Sequence, residues 1–193
     1  VKKVLGIYGS PRKRGNTDQI LDKVLEGARS AGAETRVIYA RDLKMSGCIE
    51  CGGCDKTGKC VVEDDMQSVY PHLEEATLIF LASPIFFYGL TAQVKALVDR
   101  AQAMWAKRML NKTAKQRKTY DAGKGYLIAV GASRGKNLFE GVRLEAMYFF
   151  DALDMSYEEG LLLRGIEARS DLKKKPEILE EAFELGRKAI LQD

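Results

Sequence analysis

The sequence predicts an α/β protein: a doubly wound sheet of five parallel strands in the order 2-1-3-4-5, with helices on both faces. Three observations predict it. Strand-type and helix-type patterns alternate along the chain. Several strand segments are continuously apolar, as strands covered on both faces are. Five strands also suit the 2-1-3-4-5 order better than the six-stranded dinucleotide-binding order.

The elements follow in turn. "KVLGIYG" (3–9) is an apolar strand ending in glycine. "NTDQILDKVLEGARSAG" spaces Ile20, Leu21, Val24, Leu25 and Ala28 at helical intervals, with Gly32 as its stop. "TRVIYA" (35–40) is the second strand. "DMQSVYPHLEEA" (65–76) reads as a short helix that Pro71 should kink or split. "TLIFLASP" (77–84) is a buried strand, and "TAQVKALVDRAQAMW" (91–105) one continuous helix. "GYLIAVGAS" (125–133) is the fourth strand, residues 139–154 a helix, and "SYEEGLLLRGI" (156–166) the fifth strand. "KPEILEEAFELGRKAIL" (175–191) closes the sequence as an amphipathic helix with Pro176 near its start.

No repeat or low-complexity linker divides residues 1–193, so one domain is expected, with a cysteine-rich loop at 48–60. The net charge of +4, from 31 basic and 27 acidic residues, is too small to indicate a nucleic-acid partner. No apolar run approaches the roughly 20 residues that span a bilayer, so no membrane partner is expected either. "VKKVLGIYGS" lacks the long apolar core of a signal segment, and the expected location is cytoplasmic.

In doubly wound sheets ligands sit at the carboxyl ends of strands near the point where strand order reverses, here after strands 1 and 3. After strand 1 comes "GSPRKRGNT" (9–17). Asn16 is read as the N-cap and Thr17 as the opening of the helix. A helix N-terminus offers unpaired N–H groups and partial positive charge to an anion. Ser10 and Thr17 add hydroxyls, and Arg12, Lys13 and Arg14 add charge. The loop is neither a Walker loop, since Asn16 rather than lysine follows Gly15, nor a G-x-G-x-x-G turn. It suits a terminal monophosphate better than a pyrophosphate.

After strand 3 comes "SPIFFYGL" (83–90): Pro84, Ile85, three consecutive aromatics, and Gly89, which removes a side chain. Three adjacent aromatics cannot all enter one core, so part of the set is expected to line a pocket for a planar ligand. After strand 4, "GASRGKN" (131–137) places Ser133 and Gly135 within reach of a ring edge. The competing readings are a solvated basic turn for the first loop and core packing for the aromatics.

Cys48, Cys51, Cys54 and Cys60 form C-x2-C-x2-C-x5-C, with Gly52, Gly53 and Gly58 at the turns. In a reducing compartment such clustering favours metal ligation over disulfides. The tight spacing lets one loop wrap an iron–sulfur cluster. Four thiolates also suit zinc, and free thiols or a disulfide remain a third alternative.

"GSPRKRGNT", "SPIFFYGLTAQVKALVDR" and "GASRG", in that order, resemble the NADPH-dependent FMN reductase branch of the flavodoxin-like superfamily. Together with the cysteine run, the resemblance narrows to the iron–sulfur flavoprotein group and covers essentially the whole chain. It implies FMN, with its phosphate on Ser10, Arg12, Asn16 and Thr17, and its ring against Pro84, Ile85, Phe86, Tyr88, Gly89 and the loop of Ser133 and Gly135. It further implies a [4Fe–4S] cluster on the four cysteines, a homodimer or homotetramer, and a ferredoxin-like electron-transfer partner. Many relatives carry tyrosine where this chain has Phe86, so any hydroxyl contact there is absent. Two rival functions remain: a cluster-free reductase of FMN or quinones using NAD(P)H as substrate, and a zinc-stabilised binding module. Residues 107–118, "KRMLNKTAKQRK", read as a solvated basic loop or a docking strip for an acidic partner.

Overall fold

The computed structural model describes residues 1–192; Asp193, the last residue of the expected domain, lies outside them. The strands are β1 (Lys3–Tyr8), β2 (Glu34–Tyr39), β3 (Leu78–Pro84), β4 (Gly123–Gly131) and β5 (Met155–Arg164). They form one sheet in the order β2-β1-β3-β4-β5, every pair parallel, as the sequence predicts. Alternation along each strand divides the apolar side chains between two cores. Leu5, Ile7, Ile79, Leu81 and Leu127 face α2 (Met66–Glu75), α3 (Ala92–Arg100), α4 (Gln102–Asn111) and α5 (Glu140–Ala152). Val4, Tyr8, Leu78, Phe80 and Ile128 face α1 (Asn16–Ser30) and α6 (Pro176–Leu191). Among the described residues no helix is long and apolar enough to cross a membrane.

Three local expectations are corrected. First, α2 is one helix through Pro71 and is not split there. Its apolar face (Met66, Val69, Tyr70 and Leu73) is buried, and that packing outweighs the local cost of an interior proline, about 3 kcal/mol. Second, the expected helix 91–105 is two helices. Ala101 ends α3 with its N–H bonded to the Val98 carbonyl, a tight three-residue closure with no glycine or proline to announce it. Arg100, buried at that junction, is held by residues preceding and following the cysteine loop.

Third, 107–118 is a solvated loop only in part, over its exposed residues 113–116 and 118. It starts inside α4, and most of its charges are engaged. Arg108 is buried between Asp151 and Asp154, 2.9 Å from each. Lys112 lies 2.5 Å from Asp154 and 2.8 Å from Asp121, and Lys107 reaches Glu74 at 2.8 Å. Arg117 donates to the Met109 and Lys112 carbonyls. The strip that could have met an acidic partner is thus largely consumed within the chain.

Candidate functional site

The loops after β1 and β3 are tied to each other at the strand ends. The Gly9 N–H donates to the Ala82 carbonyl at 2.7 Å, and the Thr91 hydroxyl donates to the Gly9 carbonyl at 2.5 Å. A Cβ on Gly9 would stand 2.7 Å from that Ala82 oxygen, so only glycine allows the approach. Thr91 also precedes the first turn of α3, which therefore starts from the end of β1.

Beyond Gly9 the chain folds onto the start of α1. The Arg12 amide donates to Ser10 Oγ at 3.2 Å, and the Arg14 amide to Asp18 Oδ2 at 3.0 Å. The helix cap is Gly15, not Asn16. Asn16 is instead the first helical residue, because its side chain is drawn away: Nδ2 donates to the Ala168 carbonyl at 3.0 Å. Its Oδ1 is buried with no partner. Thr17 and Asp18 are buried as well.

Beneath this turn lies an ion pair that no motif announced. Arg41 Nη2 stands 3.0 Å from Asp18 Oδ2, and Arg41 Nη1 donates to the Ser10 carbonyl at 3.0 Å. Burial raises the Asp18 carboxyl above its usual range despite the opposing pull of Arg41. Arg41 packs over the Tyr39 ring, so the last residue of β2 helps to orient the loop after β1.

A cavity of about 300 Å³ opens at the carboxyl ends of β1, β3 and β4. Of the expected residues, Ser10, Arg12, Asn16, Thr17, Pro84, Ile85 and Phe86 line it. Pro11, Gly15, Val130, Ala132, Ile166 and Glu167 complete the lining, and the last two follow β5, where the sequence carries no distinguishing motif.

Tyr88, Gly89, Ser133 and Gly135 lie outside that lining. They form a neighbouring group. The Tyr88 hydroxyl lies 2.9 Å from where a Cβ of Gly135 would be, and Ser133 Oγ accepts from the Gly135 amide at 3.0 Å. Phe86 and Gly89 exchange two backbone hydrogen bonds, making residues 86–89 a two-residue hairpin turn. Its central residues Phe87 and Tyr88 have φ of 49° and 64°. Glycine and asparagine suit such positions; two aromatics are strained there. Gly89 itself has room for a side chain, with nothing nearer than 3.7 Å to a built Cβ. The special backbone is therefore at 87 and 88, and Phe87 is fully exposed as a result. Glu145 of α5 secures the turn by accepting the Leu90 N–H at 2.8 Å.

All four cysteines line a second cavity, of about 280 Å³, with Val62, Arg100 and Ala103 in its wall. Positive φ at Glu50, Gly52 and Gly58 curls the loop. The Cys54 carbonyl closes the central turn by accepting the Thr57 and Gly58 N–H groups at 3.2 and 2.7 Å. Cys48 and Cys51 are exposed, while Cys54 and Cys60 are half-buried against the core. Burial raises the Cys54 thiol. Burial also acts to raise Cys60, but the Val62 amide, the Tyr70 hydroxyl and Arg100 outweigh it and the net shift is downward. Among the described residues, no three Cys, His, Asp or Glu side chains gather around one point that would hold a single ion.

Arg100 clamps both ends of the cysteine loop. It donates to the Ser46 carbonyl before the first cysteine, and to Asp64 and the Val62 carbonyl after the last. The shortest contact, to Asp64 Oδ2, is 2.6 Å. Hydrogen bonds from Arg100 hold the Asp64 carboxyl below its usual range. This carboxylate stabilises the fold above its unfolded-state value, about 3.9, and the contribution is lost as pH falls through the lower, folded value. Asp64→Asn is expected to destabilise the protein by about 3–5 kcal/mol at pH 7, because it strands a buried guanidinium. The gap between variant and parent should narrow below pH 4; urea unfolding at pH 7 and at pH 3 measures both.

The family described as NADPH-dependent FMN reductase matches residues 2–156. An iron–sulfur flavoprotein of Methanocaldococcus jannaschii is 36% identical over 132 residues, 68% of this chain and 63% of that protein. An iron–sulfur flavoprotein of Methanosarcina thermophila is 33% identical over 132 residues, 68% of this chain and 64% of that protein. The chain thus spans less than two thirds of the length of either relative. Among solved structures, the NAD(P)H:quinone oxidoreductase from Methanothermobacter marburgensis superposes with a TM-score of 0.69 at 13% identity, covering 99% of this chain and 96% of that one. That likeness bears on the fold alone.

Proposed function

Because the chain belongs to the NADPH-dependent FMN reductase family, we propose that it is an FMN-dependent oxidoreductase carrying a [4Fe–4S] cluster on Cys48, Cys51, Cys54 and Cys60. One juxtaposition carries the reading. Residues scattered over 10–17, 84–86 and 166–167 line one cavity at the strand ends, and all four cysteines line a second. The helix α3 links them: Thr91 at its start is bonded to Gly9, and Arg100 at its end walls the cysteine cavity. Its nine residues span about 13 Å at 1.5 Å per residue.

The residues fit both groups. The N-terminus of α1 and Arg12 suit a phosphate, and the unpartnered Asn16 Oδ1 suits a hydroxyl donor of the ligand. Pro84, Ile85 and Phe86 offer an apolar wall for a ring. Zinc draws its thiolates in to about 2.3 Å; thiols distributed around a cavity suit a polynuclear cluster better. When bound, FMN accepts electrons in pairs or singly and the cluster passes one at a time. The chain's task is then to orient both groups and exclude water. In this reading electrons enter from a ferredoxin-like carrier, whereas NAD(P)H is the donor in the cluster-free rival.

Protein purified without oxygen is expected to release FMN on denaturation and to contain iron and acid-labile sulfide. FAD in equal amount to protein would overturn the reading of residues 10–17. Thr17→Val is expected to weaken FMN binding by about 1–3 kcal/mol, the cost of an unmade hydrogen bond, measured by fluorescence titration of the apoprotein. Unchanged affinity removes Thr17 from the site.

The assembly proposed is a dimer or larger. Phe87 is held exposed in a strained turn, and Tyr88, Trp105, Leu144 and Tyr148 are exposed as well. Aromatic surface of this kind marks an interface. Light scattering at micromolar concentration is expected to give at least twice the chain mass; a fully active monomer contradicts it.

A further inference from the structure

Arg100 has more to offer than a structural clamp. It is among the largest fully buried side chains, 1% exposed, at the junction of α3 and α4. A guanidinium carries five N–H donors. Nη1 donates to Ser46 O and Asp64 Oδ2, and Nη2 donates to Val62 O and Asp64 Oδ1, so the four Nη protons are used. The fifth, on Nε, is buried without a partner. Both Nη groups engage the Asp64 carboxylate, which leaves Nε–H on the flank of the guanidinium. The cavity that Arg100 helps to wall is the one lined by all four cysteines. Buried donors of charged groups are rarely left unpaired, because the lost hydration is not replaced.

We propose that Nε–H of Arg100 donates a hydrogen bond to a sulfur of the group held by Cys48, Cys51, Cys54 and Cys60, and thereby raises that group's reduction potential. The inference rests on the cluster reading given above. Its physical basis is direct. Reduction adds negative charge to the cluster, and a fixed donor with a permanent positive charge stabilises the reduced form more than the oxidised one. Arginine remains charged at any working pH, so the effect is constant. The Asp64 pair holds the guanidinium in place while its outer charge is only partly offset, since Asp64 also accepts the Met66 and Ser46 N–H groups. Arg100 would thus make the centre easier to reduce by a one-electron donor. Its contact is with the cluster's sulfur and not with a substrate.

The test uses the full chain, purified without oxygen, with cluster and FMN bound. Iron and sulfide analysis of the parent protein comes first: absence of both overturns the cluster reading, and this inference with it. With the cluster present, protein containing 15N-arginine in an otherwise 14N background is reduced and examined by pulsed EPR. A 15N coupling to the cluster is expected, because Arg100 is the arginine in that cavity wall. No coupling at full cluster occupancy overturns the role of Arg100 and leaves the cluster reading standing. Potentiometric titration of Arg100→Lys and Arg100→Gln supplies the second readout. In Arg100→Gln the reduced-to-oxidised ratio at fixed potential should fall at least tenfold, a shift of about 59 mV for one electron. Arg100→Lys should shift in the same direction by less, since it keeps the charge and loses the Nε donor. The FMN potential in the same samples should not move. A clamp alone would lower cluster occupancy and leave the potential of the loaded fraction unchanged, and that result would overturn the proposal. If neither variant retains a cluster, the 15N measurement on the parent protein decides.

Discussion

Cys54→Ala is expected to abolish reduction by a ferredoxin-like carrier while leaving FMN bound. Cys54 anchors the central turn of the cysteine loop through its carbonyl, and its half-buried thiol packs on the core. Three thiolates cannot complete the coordination of a four-cysteine cluster, so iron and sulfide should be lost or strongly depleted. Carrier-driven reduction should then fall by orders of magnitude. The residues lining the strand-end cavity lie on other segments, so FMN content should persist. Dithionite, which is small, should still reduce the flavin directly. Both rates are measured anaerobically at matched FMN content. If carrier-driven reduction survives with FMN bound and iron absent, the cysteine loop is structural and the cluster-free reductase is the better account.

A large loss of stability is also expected from Gly186→Leu. The helices α1 and α6 cross with glycine on each side. A Cβ at Gly186 would stand 1.8 Å from the Val24 carbonyl oxygen, and one at Gly27 would stand 1.9 Å from that of Phe183. Backbone, unlike a side chain, cannot swing aside, so the helices must separate and open the core beneath them. Overpacking costs about 1–3 kcal/mol where side chains can adjust, and the contact with backbone puts this case at or above the upper end. For a chain of this size about 3 kcal/mol corresponds to a loss of about 6–12 °C in Tm. FMN affinity should weaken as well, because α1 carries Asn16 and Thr17 into the cavity. Cluster content should hold, since the cysteine loop packs against the opposite face of the sheet. Gly47→Ala is the control: nothing lies within 4 Å of its built Cβ, and its change should stay within about 0.5 kcal/mol. A thermal scan of the two variants checks both statements, and equal Tm values would show that the crossing is loose.

Much of the strand-end cavity was legible because its signals are local. Gly9, Ser10 and Arg12 stand in the loop after β1 and Thr17 in the first turn of α1, and the strand order brings that loop beside Pro84–Phe86. Asn16 lines the strand-end cavity, as expected, but was misread as a cap, since the pull of the Ala168 carbonyl comes from beyond β5. Tyr88 and Gly135 were expected against the same ring as Pro84, Ile85 and Phe86. That they meet each other outside the main cavity depends on a strained turn, which nothing in "FFYG" reveals. The basic run 107–118 was read as solvated because its carboxylate partners Asp151 and Asp154 lie some forty residues on.

By itself, then, the sequence determined the five parallel strands, their order, the two loops that meet at the strand ends and the gathering of four cysteines into one loop. Each of these is written in periodicity or spacing over a few residues, where the backbone's own geometry dictates which side chains share a face. Only the tertiary structure decided where α3 ends, which charges are spent on internal pairs, which glycines carry a helix crossing, and which buried donor is left without a partner. Those outcomes depend on burial. A guanidinium such as Arg100 acquires its partners only when Ser46, Val62 and Asp64 are brought around it and water is removed, and that arrangement exists in no single stretch of chain.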